Sequence, residues 1–220
     1  MNITVEKTLE MPNAVLFARQ LEVALKKEQK KRQHFYSIID ENKKMEFING
    51  EIYFQSPVKL RHNSAMLALA KLLHTYTAVN KLGYVGAEKL LVSLTRNDYE
   101  PDVCFFGKEK ATKFKAAQMQ FPAPDLVVEV LSKTTETHDR GIKFTDYAAH
   151  GVSEYWIVDP ENETLEQYIL DDDGEYELIM KSKDGMVRSQ AVSGFKIPVR
   201  SIFSEAENLK TLQAILGGSK

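Results

Sequence analysis

Two acidic residues lie inside apolar, strand-like runs 27 positions apart: Asp102 in Glu100-Pro-Asp-Val-Cys-Phe-Phe106 and Glu129 in Pro124-Asp-Leu-Val-Val-Glu-Val-Leu131. Side chains alternate faces along a strand, so Asp102 falls on the face of Cys104 and Phe106, and Glu129 on that of Val127 and Leu131. An ionised carboxylate is almost never fully buried unless it is paired, hydrogen-bonded or bound to a cation. Two of them in one sheet repel each other unless a metal ion, a lysine or an arginine lies between them. The pair therefore demands a sheet with a positive partner at its acids, and it points to a metal-dependent hydrolytic site.

The elements around this pair read as α/β. Residues 12 to 32 carry Ala14, Leu16, Phe17, Leu21 and Leu25 at roughly helical spacing after Pro12. Met45 to Phe54 reads as a β-hairpin, because Asn49-Gly50 supplies the positive φ angles of a two-residue turn. Leu60 to Asn80 is the clearest helix, with Met66, Leu69, Leu73 and Tyr76 in one stripe that His62 continues, and Lys81-Leu-Gly83 as its stop. Tyr84 to Leu94 reads as a strand, and Thr137 to His150 as a helix closed by Gly151. That helix joins the Glu129 strand to Glu154-Tyr-Trp-Ile-Val158, a βαβ crossover implying a partly parallel, buried sheet. Leu165 to Leu170 and Tyr176 to Lys181 flank a hairpin turn, Glu205 to Leu216 closes the chain as a helix, and Gly217 to Lys220 reads as a flexible tail. With no repeat, low-complexity tract or linker, one domain is expected.

Composition excludes several classes. Twenty-nine basic against 31 acidic residues give a net charge of -2, unlike a chain that coats nucleic acid nonspecifically. Lys26-Lys-Glu-Gln-Lys-Lys-Arg32 reads as a solvated helix face, with Arg61-His62 a second basic spot. Apolar runs fall far short of the roughly 20 residues a membrane-spanning helix needs. The stretch from Met1 to Glu10 carries acids and lacks the pattern of a secretory signal, and one cysteine, Cys104, excludes an internal disulfide, so a cytoplasmic location is expected. His138 and His150 show no zinc-type pairing with Cys104, and no glycine-rich phosphate loop or Ser-His-Asp signature occurs.

Glu51, Asp102, Glu129 and the helix of Lys143 can be read as one site. Oxygen ligands favour Mg2+ or Mn2+, which bind one or two carboxylates with water and substrate phosphate. Such a cation polarises a phosphoryl oxygen and activates water. A nearby lysine can orient that water.

In order along the chain come Phe47-Ile-Asn-Gly-Glu-Ile52, His62 opening a helix, Glu100-Pro-Asp-Val103, Pro122-Ala-Pro-Asp-Leu-Val-Val-Glu-Val-Leu-Ser132, Asp139-Arg-Gly-Ile-Lys143 and Tyr147-Ala-Ala-His-Gly-Val-Ser-Glu-Tyr-Trp-Ile-Val-Asp-Pro160. This succession resembles the Uma-two family of restriction endonucleases, within the PD-(D/E)xK nuclease superfamily, over roughly residues 35 to 185. The resemblance implies a restriction-endonuclease-like mixed β-sheet flanked by helices, here with extra β-hairpins. It makes residues 1–34 an N-terminal helical extension and 186–220 a C-terminal strand and helix. It also implies Mg2+- or Mn2+-dependent cleavage of DNA, with Asp102 and Glu129 as metal ligands and Glu51 as an additional carboxylate.

The departure from the superfamily pattern is at Leu131, where a lysine is expected two positions after the acid. The resemblance makes Lys143 its replacement; Lys133 competes, being on the face of Glu129 if the strand continues past Ser132. Asp139, four residues before Lys143, is an ordinary helix partner for it. Asp125 is a candidate outer ligand, about 13 Å from Glu129 along an extended strand. His62 reads as a packed helix residue or a base. A homodimer would supply two sites for two strands. The missing lysine also allows a catalytically inactive accessory or interaction protein on the same fold. A hydrolase of small phosphate esters or sugars lacks any recognition motif.

Overall fold

Asn49 and Gly50 adopt φ angles of +51° and +83° and close the expected hairpin between Met45–Ile48 (β1) and Glu51–Phe54 (β2), with Phe47 opposite Ile52. Two helices precede it, Val5–Leu9 (α1) and Ala14–Ile38 (α2). α2 runs past its expected end at Arg32 because Phe35 is fully buried, its ring 5.7 Å from that of Phe47. The computed structural model describes residues 4–40 and 44–218, and the chain forms two compact units, Met1–Gln55 and Ser56–Lys220. Of the expected tail, Ser219 and Lys220 lie outside the described residues, as do residues 1–3 of the N-terminal stretch.

The second unit opens with Leu60–Asn80 (α3), whose bounds are those of its apolar stripe. Ala65, Met66, Leu69, Leu72 and Leu73 are buried at the i, i+3, i+4 and i+7 spacing of one helix face, and Lys81 caps the end in the left-handed region. Gly83–Ala87 (β3) and Leu91–Ser93 (β4) replace the single strand expected from Tyr84 to Leu94. Glu88 and Lys89 between them take positive φ angles, +53° and +24°, which no strand accommodates. Next come Asp98–Tyr99 (β5), Val103–Gly107 (β6), the short helix Lys108–Ala111 (α4), Gln120–Phe121 (β7) and Leu126–Val130 (β8). β4 pairs antiparallel with β5 and parallel with β7.

The expected helix from Thr137 to His150 is two pieces, Glu136–Asp139 (α5) and Ile142–Ala149 (α6), turned at Arg140 and Gly141. Glu154–Asp159 (β9), Thr164–Leu170 (β10) and Tyr176–Ser182 (β11) follow, then Met186–Arg188 (β12), Lys196–Pro198 (β13), a 3-10 turn at Val199–Ile202 and Glu205–Gly217 (α7). A six-stranded mixed sheet runs β11-β10-β9-β8-β6-β3, and β8 and β9 form its parallel pair, the crossover that α5 and α6 bridge.

Its two faces differ in chemistry. Leu126, Val128 and Val130 of β8 join Val103, Phe105, Trp156 and Val158 in a core with α3 and the C-terminal elements. Val127 and Glu129 point the other way, beside Cys104 and Tyr155 of the neighbouring strands and under α6, whose Phe144 and Tyr147 rings lie 5.6 and 5.7 Å from that of Tyr155. At 25 cal/mol per Å², each large side chain closed into either layer contributes about 2 kcal/mol.

Candidate functional site

Register brings the two acids together. Cys104 lies opposite Val127 and Val103 opposite Val128, so one step further places Asp102 opposite Glu129 on the face away from the main core. Asp102 is a bend residue after Pro101, one position before β6, rather than a strand residue. Its N–H points to Glu129 Oε2 at 3.4 Å, while Val130 N–H donates to Asp102 Oδ2 at 2.8 Å. Both carboxylates are buried.

Two basic side chains approach them. Lys143 of α6, itself 2% exposed, places Nζ 3.2 Å from Glu129 Oε1 and 3.1 Å from Asp139 Oδ1, with the Tyr99 ring centroid 5.9 Å away. From the first turn of α3, His62 Nε2 lies 3.3 Å from Asp102 Oδ2, and its other nitrogen, buried, has no hydrogen-bond partner among the described residues. A chain of contacts thus runs His62, Asp102, Glu129, Lys143, Asp139, with the two acids adjacent and a basic side chain on either side of them.

Of the two candidate lysines, Lys143 reaches Glu129, whereas Lys133 is exposed on the loop after β8, and Leu131 is packed as an apolar residue. Asp125 is engaged elsewhere, accepting from Gly107 N–H at 2.6 Å and pairing with Lys110 at 2.7 Å. Glu51 belongs to the first unit, where its exposed carboxylate pairs with Lys31 at 2.5 Å. Sequence reasoning gave Asp139 no part in the site and left His62 undecided. The four-residue spacing of Asp139 from Lys143 is common to solvated helix pairs, and the burial that sets it apart, at 1% exposure, has no local sequence signal.

Nearby groups feel the same charges. Burial pushes the Cys104 thiol far up; the Gly86 backbone opposes this and Glu129 adds to it, so the thiol is no nucleophile. Burial likewise holds the Tyr155 hydroxyl well above its ordinary range, reinforced by Glu129 and Asp139 and opposed by Lys143. That hydroxyl donates to the Asp139 carbonyl at 2.9 Å.

Among the described residues no three His, Cys, Asp or Glu side chains cluster as a complete metal cage. Two carboxylates suit a cation that keeps several waters and takes further oxygens from a substrate phosphate, as Mg2+ and Mn2+ do, and do not suit a closed zinc site.

Residues 32–200 match the Uma2 family, described as "Putative restriction endonuclease". The chain belongs to the Uma2 family. A curated relative, "Uncharacterized protein slr1290" of Synechocystis sp., is 29% identical over 141 residues, covering 62% of this chain and 71% of the relative. A solved structure from Anabaena variabilis, "a putative nuclease belonging to DUF820", superposes with a TM-score of 0.66 at 17% identity, covering 81% of this chain and 96% of that one. The resemblance that the ordered motifs carried is thus borne out for the Uma2 family, and the mixed sheet flanked by helices is the fold this neighbour shares.

Proposed function

We propose that this Uma2 protein is a divalent-metal-dependent endonuclease that hydrolyses DNA phosphodiester bonds. The observation that carries the reading is the buried pair Asp102 and Glu129, opposite each other across two strands, with the Lys143 ammonium 3.2 Å from Glu129. Asp102 and Glu129 would hold Mg2+ or Mn2+. When bound, such a cation polarises a phosphoryl oxygen and lowers the pKa of a bound water. Lys143 contributes a fixed positive charge at that edge of the site, orienting water and offsetting the charge that develops on the phosphate. His62 holds the Asp102 carboxylate from the far side. The assisting role expected of Glu51 is tested separately, by Glu51→Ala in a nicking assay.

The inactive alternative rests on the lysine missing at Leu131; the approach of Lys143 from α6 to Glu129 supports the active reading over it. No helix of the described residues is long and apolar enough to cross a membrane. The proposal places the protein in the cytoplasm, as a homodimer where both strands of a duplex are cut.

Plasmid DNA and a labelled RNA of equal length, incubated with wild type and Asp102→Ala over a series of Mg2+ and Mn2+ concentrations, test the reading. Cation-dependent nicking by wild type alone supports it. Wild type that neither binds these cations nor cuts DNA overturns it, and cleavage confined to RNA overturns the substrate.

A further inference from the structure

Lys143 does not face Asp139 along one regular helix. α5 ends at Asp139 and α6 begins at Ile142, so the 3.1 Å ion pair spans a corner made by Arg140 and Gly141. An exposed i, i+4 pair is weak and mobile. This one is shut away, Asp139 and Lys143 being 1% and 2% exposed. A lysine is a point charge on a flexible four-carbon stem, and its position is set by the anions around it.

The corner itself is pinned. Asp139 N–H donates to the Thr135 carbonyl at 2.9 Å, and the Tyr155 hydroxyl donates to the Asp139 carbonyl at 2.9 Å. Arg140 forks onto Glu166 through bonds of 2.8 and 2.9 Å. At Gly141 a Cβ would stand 2.7 Å from the Thr137 carbonyl oxygen, so the turn is closed tightly enough to admit only glycine without movement. This is far more fixation than a solvated helix pair requires.

Resting on the nuclease reading above, we infer that Asp139 is a positioning residue for Lys143, keeping its ammonium beside Glu129 when a cation draws on that carboxylate. A lysine held by Glu129 alone would compete with the cation for the same oxygens. Asp139 supplies a second anion at equal range, so the ammonium keeps its place while Glu129 turns to the metal. Asp139 touches neither cation nor substrate.

The test compares wild type with Asp139→Asn, Asp139→Glu and Tyr155→Phe. Calorimetry reads Mn2+ affinity, steady-state cleavage separates kcat from KM, and lysine-selective 15N NMR reads the slowly exchanging Lys143 ammonium. For Asp139→Asn, kcat falls about 10- to 100-fold while KM and Mn2+ affinity stay within about threefold, and Asp139→Glu recovers part of the loss. The ammonium signal, sharp in wild type, broadens or disappears. Unchanged kcat and an unchanged ammonium signal overturn the inference, as does a loss of Mn2+ affinity parallel to kcat, which would make Asp139 a ligand. If Asp139→Asn does not fold, Tyr155→Phe, which releases only the Asp139 carbonyl, must lower kcat in the same way or the inference fails. An inactive wild type refutes the nuclease reading by itself, and the ammonium signal still decides whether Asp139 places Lys143.

Discussion

Asp102 and Glu129 orient each other: the amide of Val130, next to Glu129, donates to the Asp102 carboxylate at 2.8 Å, while the amide of Asp102 faces the Glu129 carboxylate at 3.4 Å. Each acid is therefore held by backbone from the other's segment. Asp102→Asn keeps an acceptor for Val130, so stability changes by only about 1 kcal/mol. Cleavage falls at least about 100-fold, because an amide is a poor ligand for a hard cation. Denaturant melts read beside nicking assays check that split; equal losses in both would mean that Asp102 is structural.

Lys143→Met removes one positive charge from between two buried carboxylates. Breaking a buried pair from one side costs about 3–5 kcal/mol. Millimolar Mn2+ raises the melting temperature of this variant more than that of wild type, since a cation at Glu129 offsets part of the missing charge. Calorimetric melts with and without the metal check this.

Glu154 is a buried carboxylate outside the site. It accepts from Trp156 Nε1 at 2.6 Å, Gln167 Nε2 at 2.7 Å, Ser189 Oγ at 2.6 Å and the amides of Gln190 and Ala191 at 2.9 Å. Glu154→Gln turns an NH2 group toward donors, leaving at least one of them buried without an acceptor, and destabilises by about 3 kcal/mol. Trp156 is the single tryptophan, so its fluorescence reports the rearrangement directly.

Glu166 makes a pH prediction. Burial alone would raise its carboxyl, but hydrogen bonds from Arg140, Tyr168 and Lys181 outweigh it and bring the value down to about 2 from an ordinary 4.5. A depressed folded value means that this network stabilises the protein fully above pH 4.5 and ceases to do so as pH falls toward 2. The difference in urea midpoint between wild type and Glu166→Gln is thus large at neutral pH and shrinks through that acid window. A constant difference would show that the carboxylate's charge is not what matters.

Gly83→Ala tests the edge of the six-stranded sheet. With φ at +155°, an added Cβ would sit 2.0 Å from the Phe106 carbonyl oxygen, a clash with backbone that cannot swing away. A loss of about 3 kcal/mol or more is expected, with β3 the first strand to lose amide protection in hydrogen exchange.

How much of this was written in the sequence differs from residue to residue. α3 was legible to its ends because its stripe and its stop are local signals, and the β1–β2 turn because Asn-Gly is nearly diagnostic of its geometry. The two acids were legible as anomalies, carboxylates where strands are apolar. Their register was not, since pairing between β6 and β8 is fixed by the 18 residues from Lys108 to Asp125 that return the chain. The break at Gly141 was hidden inside a run with helical spacing on both sides. Asp139 was hidden for a related reason: i, i+4 acid and lysine pairs abound on solvated helices, and only tertiary burial separates this one from them. Glu154 opened an expected strand with no local sign of its burial, because donors to it also come from residues 189 to 191, far along the chain.

Under the proposed function, a lysine delivered by α6 frees the end of β8 from a chemical duty. Position 131 can then serve packing, and the acid and its cationic partner can vary independently, one with the sheet and the other with the helix laid over it. A pattern requiring an acid and a lysine two residues apart passes over this chain. One that allows a spacing of 14 positions from Glu129 to Lys143, with glycine two places before the lysine, picks it out.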